Sequence, residues 1–455
     1  MRSLQMGIAK PVVAARRTDG GRAFQWTFVG VICYEQLSVW VYPKYMNGRE
    51  PDLEHFQTVM RAIASLESNT LIEEEARELI VEDNLLSNRG AFYLRLVELF
   101  EEYGLYGNEE SSFEINGGGD IDWPRTFALG PSFVKGGSFY YTETFTRKQV
   151  ADNTNLVRRI HSALLTASGQ FLERSGLGLL LGMDLPPQAG TPLEELGDTT
   201  TLLHHIEREA IEQNLLWKRQ ALDCMRALLS EDYKGAAMES LVVLGTRAFH
   251  VLWEEACSVF FGNDLKASLQ SLGFPLQMGT EFDPQTSLDS LIPTPTWELQ
   301  GRDFATSRRL RPDLVRLIPS AGGPNQTWIF AILDAKYYQL AAECGQNGRA
   351  IIRGEPELES ITKQFLYRTA FRPLIECGSI GKTVNAFLLP SQSPHFDVLG
   401  TVRFPVVIES LEPPATNEIS VWSLPAENVL RSLFEPVNAD SNFRKILDLD
   451  STRGQ

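Results

Sequence analysis

The sequence predicts a multidomain α/β (α+β) chain. The front part reads as a mixed β/α region, the middle as a helical connector, and the C-terminal half as an α/β core. Three observations carry this. The 455 residues exceed what one core organises, and roughly 100–200 residues per domain give two to four domains. Shares of 43% hydrophobic, 22% charged and 10% aromatic residues are ordinary for globular chains and exclude wholesale disorder. In the last half, the order helix, strands, helix, strand is that of an α/β sandwich.

The elements follow in chain order. Residues 1–22 read as a flexible lead with no apolar h-region, so no signal peptide is expected. Residues 24–33 and 37–42 read as strands around a polar turn at Tyr34-Glu35-Gln36, with Pro43-Lys44 ending the second. Residues 53–66 and 89–103 carry apolar residues at helical spacing, Phe92, Leu96, Leu99 and Phe100 among them. Between them, Glu73-Glu74-Glu75 reads as a solvated helix face. Asn116-Gly117-Gly118-Gly119-Asp120 is a break. No Gly-Lys-Ser/Thr follows and no helix is expected to open there, so it reads as a hairpin turn rather than a phosphate loop.

Residues 138–144 read as a strand, and 155–174 and 202–229 as helices around a Gly- and Pro-rich linker, 176–200. Residues 236–261 read as one long apolar helix stopped by Gly262-Asn263-Asp264. Strands are expected at 314–318, 328–333, 383–389 and 402–408, with a helix over 359–374.

Composition narrows function as well. A net charge of −16 repels polyanions at long range and excludes a nonspecific DNA-coating protein, while leaving room for a local basic cleft. Cys33, Cys224, Cys257, Cys344 and Cys377 form no C-x-x-C pair. That argues against a disulfide framework or zinc site and fits a reducing cytoplasm. The most apolar stretch, 177–185, is too short to span a bilayer, so a cytoplasmic chain with no membrane partner is expected.

Metal-dependent phosphodiester cleavage needs hard oxygen ligands for Mg2+ and a group beside the attacking water. A carboxylate at the start of one strand and Asp/Glu-x-Lys at the end of the next supply both. Side-chain alternation puts the acid and the Lys of that tripeptide on one sheet face. Three such tripeptides occur: Asp232-Tyr233-Lys234, Asp264-Leu265-Lys266 and Asp334-Ala335-Lys336. Roughly one is expected by chance. The first two stand beside turn residues at helix boundaries, a common structural use of an acid. The third ends the apolar run 328–333, where charge is costly without metal or partners. Asp313 stands 21 residues upstream, after Pro312, which starts a strand well. Arg302, Arg308, Arg309, Arg311 and Arg316 surround it against Asp303 and Asp313. That local basic excess suits phosphate; a solvated basic loop is the plainer alternative.

Pro312-Asp313 with Asp334-Ala335-Lys336 resembles the PD-(D/E)XK nuclease motif. Further segments recur in order: Phe28-Val29-Gly30-Val31-Ile32 with Pro43-Lys44; Gly117 through Thr126; Trp253-Glu254-Glu255-Ala256-Cys257; Asp334 through Tyr338; and Lys363-Gln364-Phe365-Leu366-Tyr367. The ordered set resembles the LlaJI-type restriction endonucleases, related to the McrC subunits of modification-dependent systems, over residues 24–410.

The resemblance implies a partner-docking N-terminal region over 1–130, a helical connector over 131–230, a restriction-endonuclease-like core over 231–410 and an extension over 411–455. It implies Asp313 and Asp334 as Mg2+ ligands, the Ala335 carbonyl completing the metal sphere, and Lys336 positioning or activating water. Glu254 stands where such folds place an acid on the first core helix. Its neighbour Glu255, about 100° round the helix, is one alternative, and a plain surface role for Glu254 another. Gln364 with Tyr367 resembles a motif on the helix that approaches nucleic acid, with core packing of Tyr367 as the alternative. Arg308, Arg309 and Arg311 are the candidate DNA contacts. Arg125 is a candidate partner contact, a surface hairpin Arg being the plainer reading.

The implied partners are DNA and an McrB-like AAA+ GTPase, since the chain has no Walker A motif of its own; homo-oligomerisation stays open. The implied activity is Mg2+-dependent DNA cleavage in a restriction, anti-phage defence system. Two rivals stand: an interaction subunit that mainly activates a partner GTPase, and a repair-type exonuclease.

Overall fold

A computed structural model describes residues 9–11, 24–34, 37–46, 52–70, 89–107, 109–151, 155–186, 190–232, 241–275, 282–299, 302–305, 309–320, 327–344, 350–404 and 418–452. Glu73-Glu74-Glu75 and Arg308 lie outside the described residues. The chain divides into two compact units. One takes in residues 1–30, 40–85 and 245–455, the other residues 31–39 and 86–244. Residues 40–85, taken above with the N-terminal region, thus belong to the first unit.

The first unit is built on a mixed five-stranded sheet flanked by helices. Its elements are α1 (Leu53–Thr70), α2 (Phe249–Phe261), β1 (Leu314–Pro319), β2 (Trp328–Ala335), α3 (Leu358–Ala370), β3 (Ile380–Ser391), β4 (Asp397–Arg403), β5 (Glu418–Pro425), α4 (Ala426–Arg431) and α5 (Ala439–Thr452). The strand order is β1-β2-β3-β5-β4. β1 and β2 pair antiparallel, with Leu314 opposite Leu333. β3 lies parallel to β2 after the crossover through α3. β5 lies parallel to β3, and β4 closes the edge antiparallel. Residues 418–452, set apart above as an extension, therefore supply a strand and two helices to this unit.

β2 explains its own sequence. Phe330, Ala331, Ile332 and Leu333 are all fully buried, because both faces of the strand are covered. A strand covered on both sides reads as an unbroken apolar run rather than an alternation. Phe330 and Ile332 pack with Val315, Leu317, Tyr367 and Phe371, and α2 packs against β1 and β2.

The second unit gathers helices Arg89–Tyr103, Leu156–Ser175, Thr199–Glu212 and Leu216–Asp232. It also holds a three-stranded sheet of Glu109–Ile115, Phe145–Ala151 and Asp120–Ile121, and the hairpin Ser132–Lys135 with Ser138–Tyr141. The span 131–230 thus holds the strand expected at 138–144, observed at Ser138–Tyr141, beside its helices.

Several expected elements are corrected. Residues 236–261 do not form one helix: Leu241–Thr246 is a strand, and α2 starts at Phe249. Gly245 faces the Phe28 ring and the Val29 carbonyl so closely that a Cβ there would collide with both. An apolar run alone does not separate strand from helix. The helix expected over 202–229 is two helices. The Gln213 side-chain oxygen accepts the N–H groups of Asn214 and Leu215 at 3.1 Å each and punctuates the turn. The helix expected over 359–374 stops at Ala370, and Arg372–Ile375 restarts with Pro373 in its first turn, where proline is tolerated. The glycine-rich break is a turn, but a helix does open after it, at Trp123–Leu129. Asp122 caps that helix, accepting the Arg125 N–H at 3.0 Å. No helix among the described residues is long and apolar enough to cross a membrane, and Cys33, Cys224, Cys257 and Cys377 are free thiols.

Candidate active site

The β1–β2 register sets the site. With Leu314 opposite Leu333, Asp313 enters β1 beside Asp334, the last residue but one of β2. Asp313 Oδ2 accepts the Ala335 N–H at 3.0 Å, and the Asp313 and Asp334 carboxyl groups contact each other directly. Asn263, just past the end of α2, holds this geometry. Its amide donates to the Asp313 carbonyl at 2.9 Å, and its side-chain oxygen accepts the Val315 N–H at 3.3 Å.

Lys336 joins from the end of β2. Its Nζ lies 2.8 Å from Asp334 Oδ2, and its N–H donates to the Leu388 carbonyl at 2.9 Å. The same carbonyl accepts the indole N–H of fully buried Trp253 at 3.0 Å. That shared acceptor fixes the rotation of α2 relative to β3. Glu254 consequently faces Asp334 and Lys336, while Glu255 is exposed on the outer side. Of the two neighbouring acids, Glu254 is the one at the cluster.

Three acids share one lysine here. Burial, with the charges of Asp334 and Glu254 added, pushes the Asp313 carboxyl well above the usual carboxylate range. Burial also raises Glu254 to about 7; Lys336 opposes the shift and Asp334 supports it. Burial alone works against the Lys336 ammonium, yet Asp334, Asp313 and Glu254 outweigh it and raise its pKa. The raised Asp313 and Glu254 carboxyls hold protons that a bound cation would displace. Two carboxylates on adjacent strand ends, with the Ala335 carbonyl between them, suit the hard-oxygen preference of Mg2+. That ion commonly takes one or two carboxylates and keeps several waters. No cage of three or more His, Cys, Asp or Glu side chains occurs among the described residues.

Other expected contacts fall elsewhere. Gln364 is fully buried, and its amide donates to the Ile332 carbonyl at 3.0 Å. Tyr367 is 6% exposed and lies within reach of the Asp334 and Asp313 charges. Both support the cluster from beneath the sheet and do not present a surface to nucleic acid, because helix α3 packs against β2. The basic excess around the site is also corrected. Arg316 is buried between Asp264, at 2.8 Å, and Asp440, and Arg309 pairs with Asp289. Arg302 and Arg311 remain exposed. Arg125, in the second unit, is exposed with its guanidinium 4.1 Å from the Phe113 ring centre.

Trp253 and Asn263 were missed as site residues. In the sequence, Trp253 is one residue of a recurring segment and Asn263 reads as part of a helix stop; neither signals a site role.

The LlaJI restriction endonuclease family matches residues 28–276 and 277–422. The chain belongs to that family. Membership implies nuclease activity and a place in a restriction system, and the matched span includes every residue of the cluster. The chain is similar to the Type II restriction enzyme BsuMI component YdjA of Bacillus subtilis (strain 168), with 26% identity over 398 residues, 83% of this chain and 76% of the relative. It also matches a solved half-complex from a tetradecameric assembly of Thermococcus gammatolerans McrB AAA+ hexamers with bound McrC. That match has a TM-score of 0.37 and 14% identity over 96% of this chain and 85% of the other, too low to bear on fold or partners.

Proposed function

We propose that the chain is the Mg2+-dependent DNA endonuclease subunit of an anti-phage restriction system. On this reading the first unit is a PD-(D/E)XK, restriction-endonuclease-like core. The observation that carries it is the convergence of Asp313, Asp334, Glu254 and Lys336 at the end of β2, where crowding and burial make two of the three carboxyls hold their protons.

Asp313, Asp334 and the Ala335 carbonyl would hold Mg2+. When bound, the ion stabilises charge developing on phosphorus-bound oxygens. Lys336 stays an ammonium among these acids, so it orients water by donating rather than by taking a proton. Glu254, with a pKa near 7, exchanges a proton at neutral pH and is suited to general-base work. The Asn263 and Trp253 hydrogen bonds keep the strand ends and α2 in register while this happens.

An McrB-like AAA+ GTPase partner belongs to the same proposal and rests on the sequence resemblance. In the second unit, Arg125 lies on the short helix that also exposes Trp123 (48%) and Phe127 (59%), whose rings pack on each other, and exposed aromatic patches mark interaction sites. With a net charge of −16, DNA loading falls to such a partner.

The test is cleavage of closed circular plasmid with Mg2+, with and without an McrB-like AAA+ GTPase. Wild type should linearise it, EDTA should stop the reaction, and Asp334→Ala and Lys336→Ala should cut nothing while melting like wild type. Persistence of cutting in both variants overturns the assignment. Failure to cut closed circles while degrading linear DNA favours the exonuclease reading. GTP turnover stimulated equally by wild type and Asp334→Ala, with no cutting by either, favours the interaction subunit.

A further inference from the structure

Lys44 lies far from the cluster in sequence, yet its backbone is tied to the residue after Lys336. It sits in a turn closed by the Met46 N–H on the Pro43 carbonyl at 2.9 Å. Its own N–H donates to the Tyr337 hydroxyl at 2.8 Å. Its ammonium stands 4.2 Å from the centre of the Tyr337 ring and 5.3 Å from that of Tyr338. Tyr337 is itself fixed on the other side, 4.8 Å from Phe249, the first residue of α2. The ammonium is therefore held one residue and one aromatic ring away from Lys336.

Among the described residues no carboxylate pairs with Lys44. Burial lowers its pKa, and the aromatic cradle orders a side chain that stays exposed to solvent. An exposed lysine has little reason to be ordered in this way, since cation–π contact contributes only about 0.5–1 kcal/mol at such sites against comparable side-chain entropy. An arriving anion changes that balance. Arg316 and Arg309 already hold carboxylates and leave this task open.

Resting on the nuclease reading above, we propose that Lys44 is a DNA-binding residue of the same active site, contacting a backbone phosphate that flanks the scissile one. The turn at 43–46 is then part of the nuclease site. Its two tyrosines follow the Asp-Ala-Lys tripeptide directly, so the catalytic strand end and the phosphate clamp are set by one stretch of backbone.

The test uses the full chain and a short fluorescent duplex without divalent metal, titrated across salt concentrations. Lys44→Ala should weaken binding about tenfold and lower the slope of log Kd against log salt by about 1, the signature of one lost phosphate contact. Lys44→Arg should stay within about twofold of wild type, since a guanidinium both stacks on aromatics and pairs with phosphate. In plasmid cleavage with Mg2+ and the partner, Lys44→Ala should raise KM about tenfold with kcat falling no more than about threefold. Tyr337→Phe, which removes only the hydroxyl acceptor, should raise KM about threefold with the salt slope intact. An unchanged salt slope in Lys44→Ala overturns the proposal, as does a binding loss that tracks a fall in melting temperature. The binding arm needs no cleavage. If Asp334→Ala cuts like wild type, the nuclease assignment fails while the role of Lys44 is still decided.

Discussion

Asp264 and Asp334 each open an Asp-x-Lys tripeptide in the same unit, and both are buried. Their surroundings differ. Asp264 accepts Arg316 Nη1 at 2.8 Å and the Leu317 N–H at 2.9 Å, so both of its oxygens are used and its charge is matched. Its lysine, Lys266, stands exposed. Asp334 instead shares Lys336 with Asp313 and Glu254. The first group is a finished ion pair, and in the second three carboxyls crowd one lysine, so that Asp313 and Glu254 hold their protons more tightly. The surroundings, rather than the tripeptide, distinguish the proposed metal site from the pair that holds the fold.

The largest effect should come from Asp334→Ala, with cleavage falling at least about 10³-fold. Stability should hold or rise, because the change removes a charge that repels Asp313. A thermal melt beside the plasmid assay checks both halves. Asp264→Ala should do the reverse. It leaves buried Arg316 with only the exposed Asp440, and breaking a buried pair costs about 3–5 kcal/mol. Cleavage per folded molecule at low temperature should be unaffected. An Asp264→Ala chain that melts like wild type would erase the contrast.

The pH dependence of stability sharpens the same contrast. Glu254 is raised from 4.5 to about 7, mainly by burial, and Asp313 is raised as well. Between those pH values the folded chain holds protons that the unfolded chain has released. Metal-free stability should therefore fall as pH climbs from about 4.5 to about 7, by up to about 1.4 kcal/mol per pH unit for each such group. Glu254→Gln should flatten that decline. Mg2+ should raise the melting temperature at pH 8 and do little at pH 5, because it competes with the protons for the same oxygens. Equal stabilisation at both values would place the metal elsewhere.

What the sequence discloses depends on distance along the chain. Asp313, Asp334 and Lys336 were legible because one hairpin and the two-residue strand period bring them together. Lys44 and Tyr337 were not, since 293 residues separate them. Arg316 was misread for the same reason. A local count of charges finds Asp303 and Asp313 but not Asp264, 52 residues earlier, or Asp440, 124 residues later. The 236–261 stretch was misread on other grounds: an apolar run does not say which way its backbone turns, and the glycine that decides it acts through Phe28 and Val29.

The smallest expected effect is that of Glu255→Gln. Glu254 and Glu255 are equivalent in sequence, and only the helix rotation set by Trp253 and Leu388 separates them. Glu255 is exposed, and a neutral substitution at such a position typically changes stability by no more than about 0.5 kcal/mol. Cleavage should stay within about twofold of wild type, and the decline of stability between pH 4.5 and 7 should be preserved. A Glu255→Gln chain that lost cleavage as Glu254→Gln is expected to would mean that α2 rotates by about 100° when metal and DNA bind. The Trp253–Leu388 hydrogen bond would then have to break. Trp253→Phe separates the two cases. Losing that bond should loosen the preference for Glu254 if the rotation is fixed as observed, and should leave the Glu255→Gln phenotype unchanged if the working state has already abandoned it.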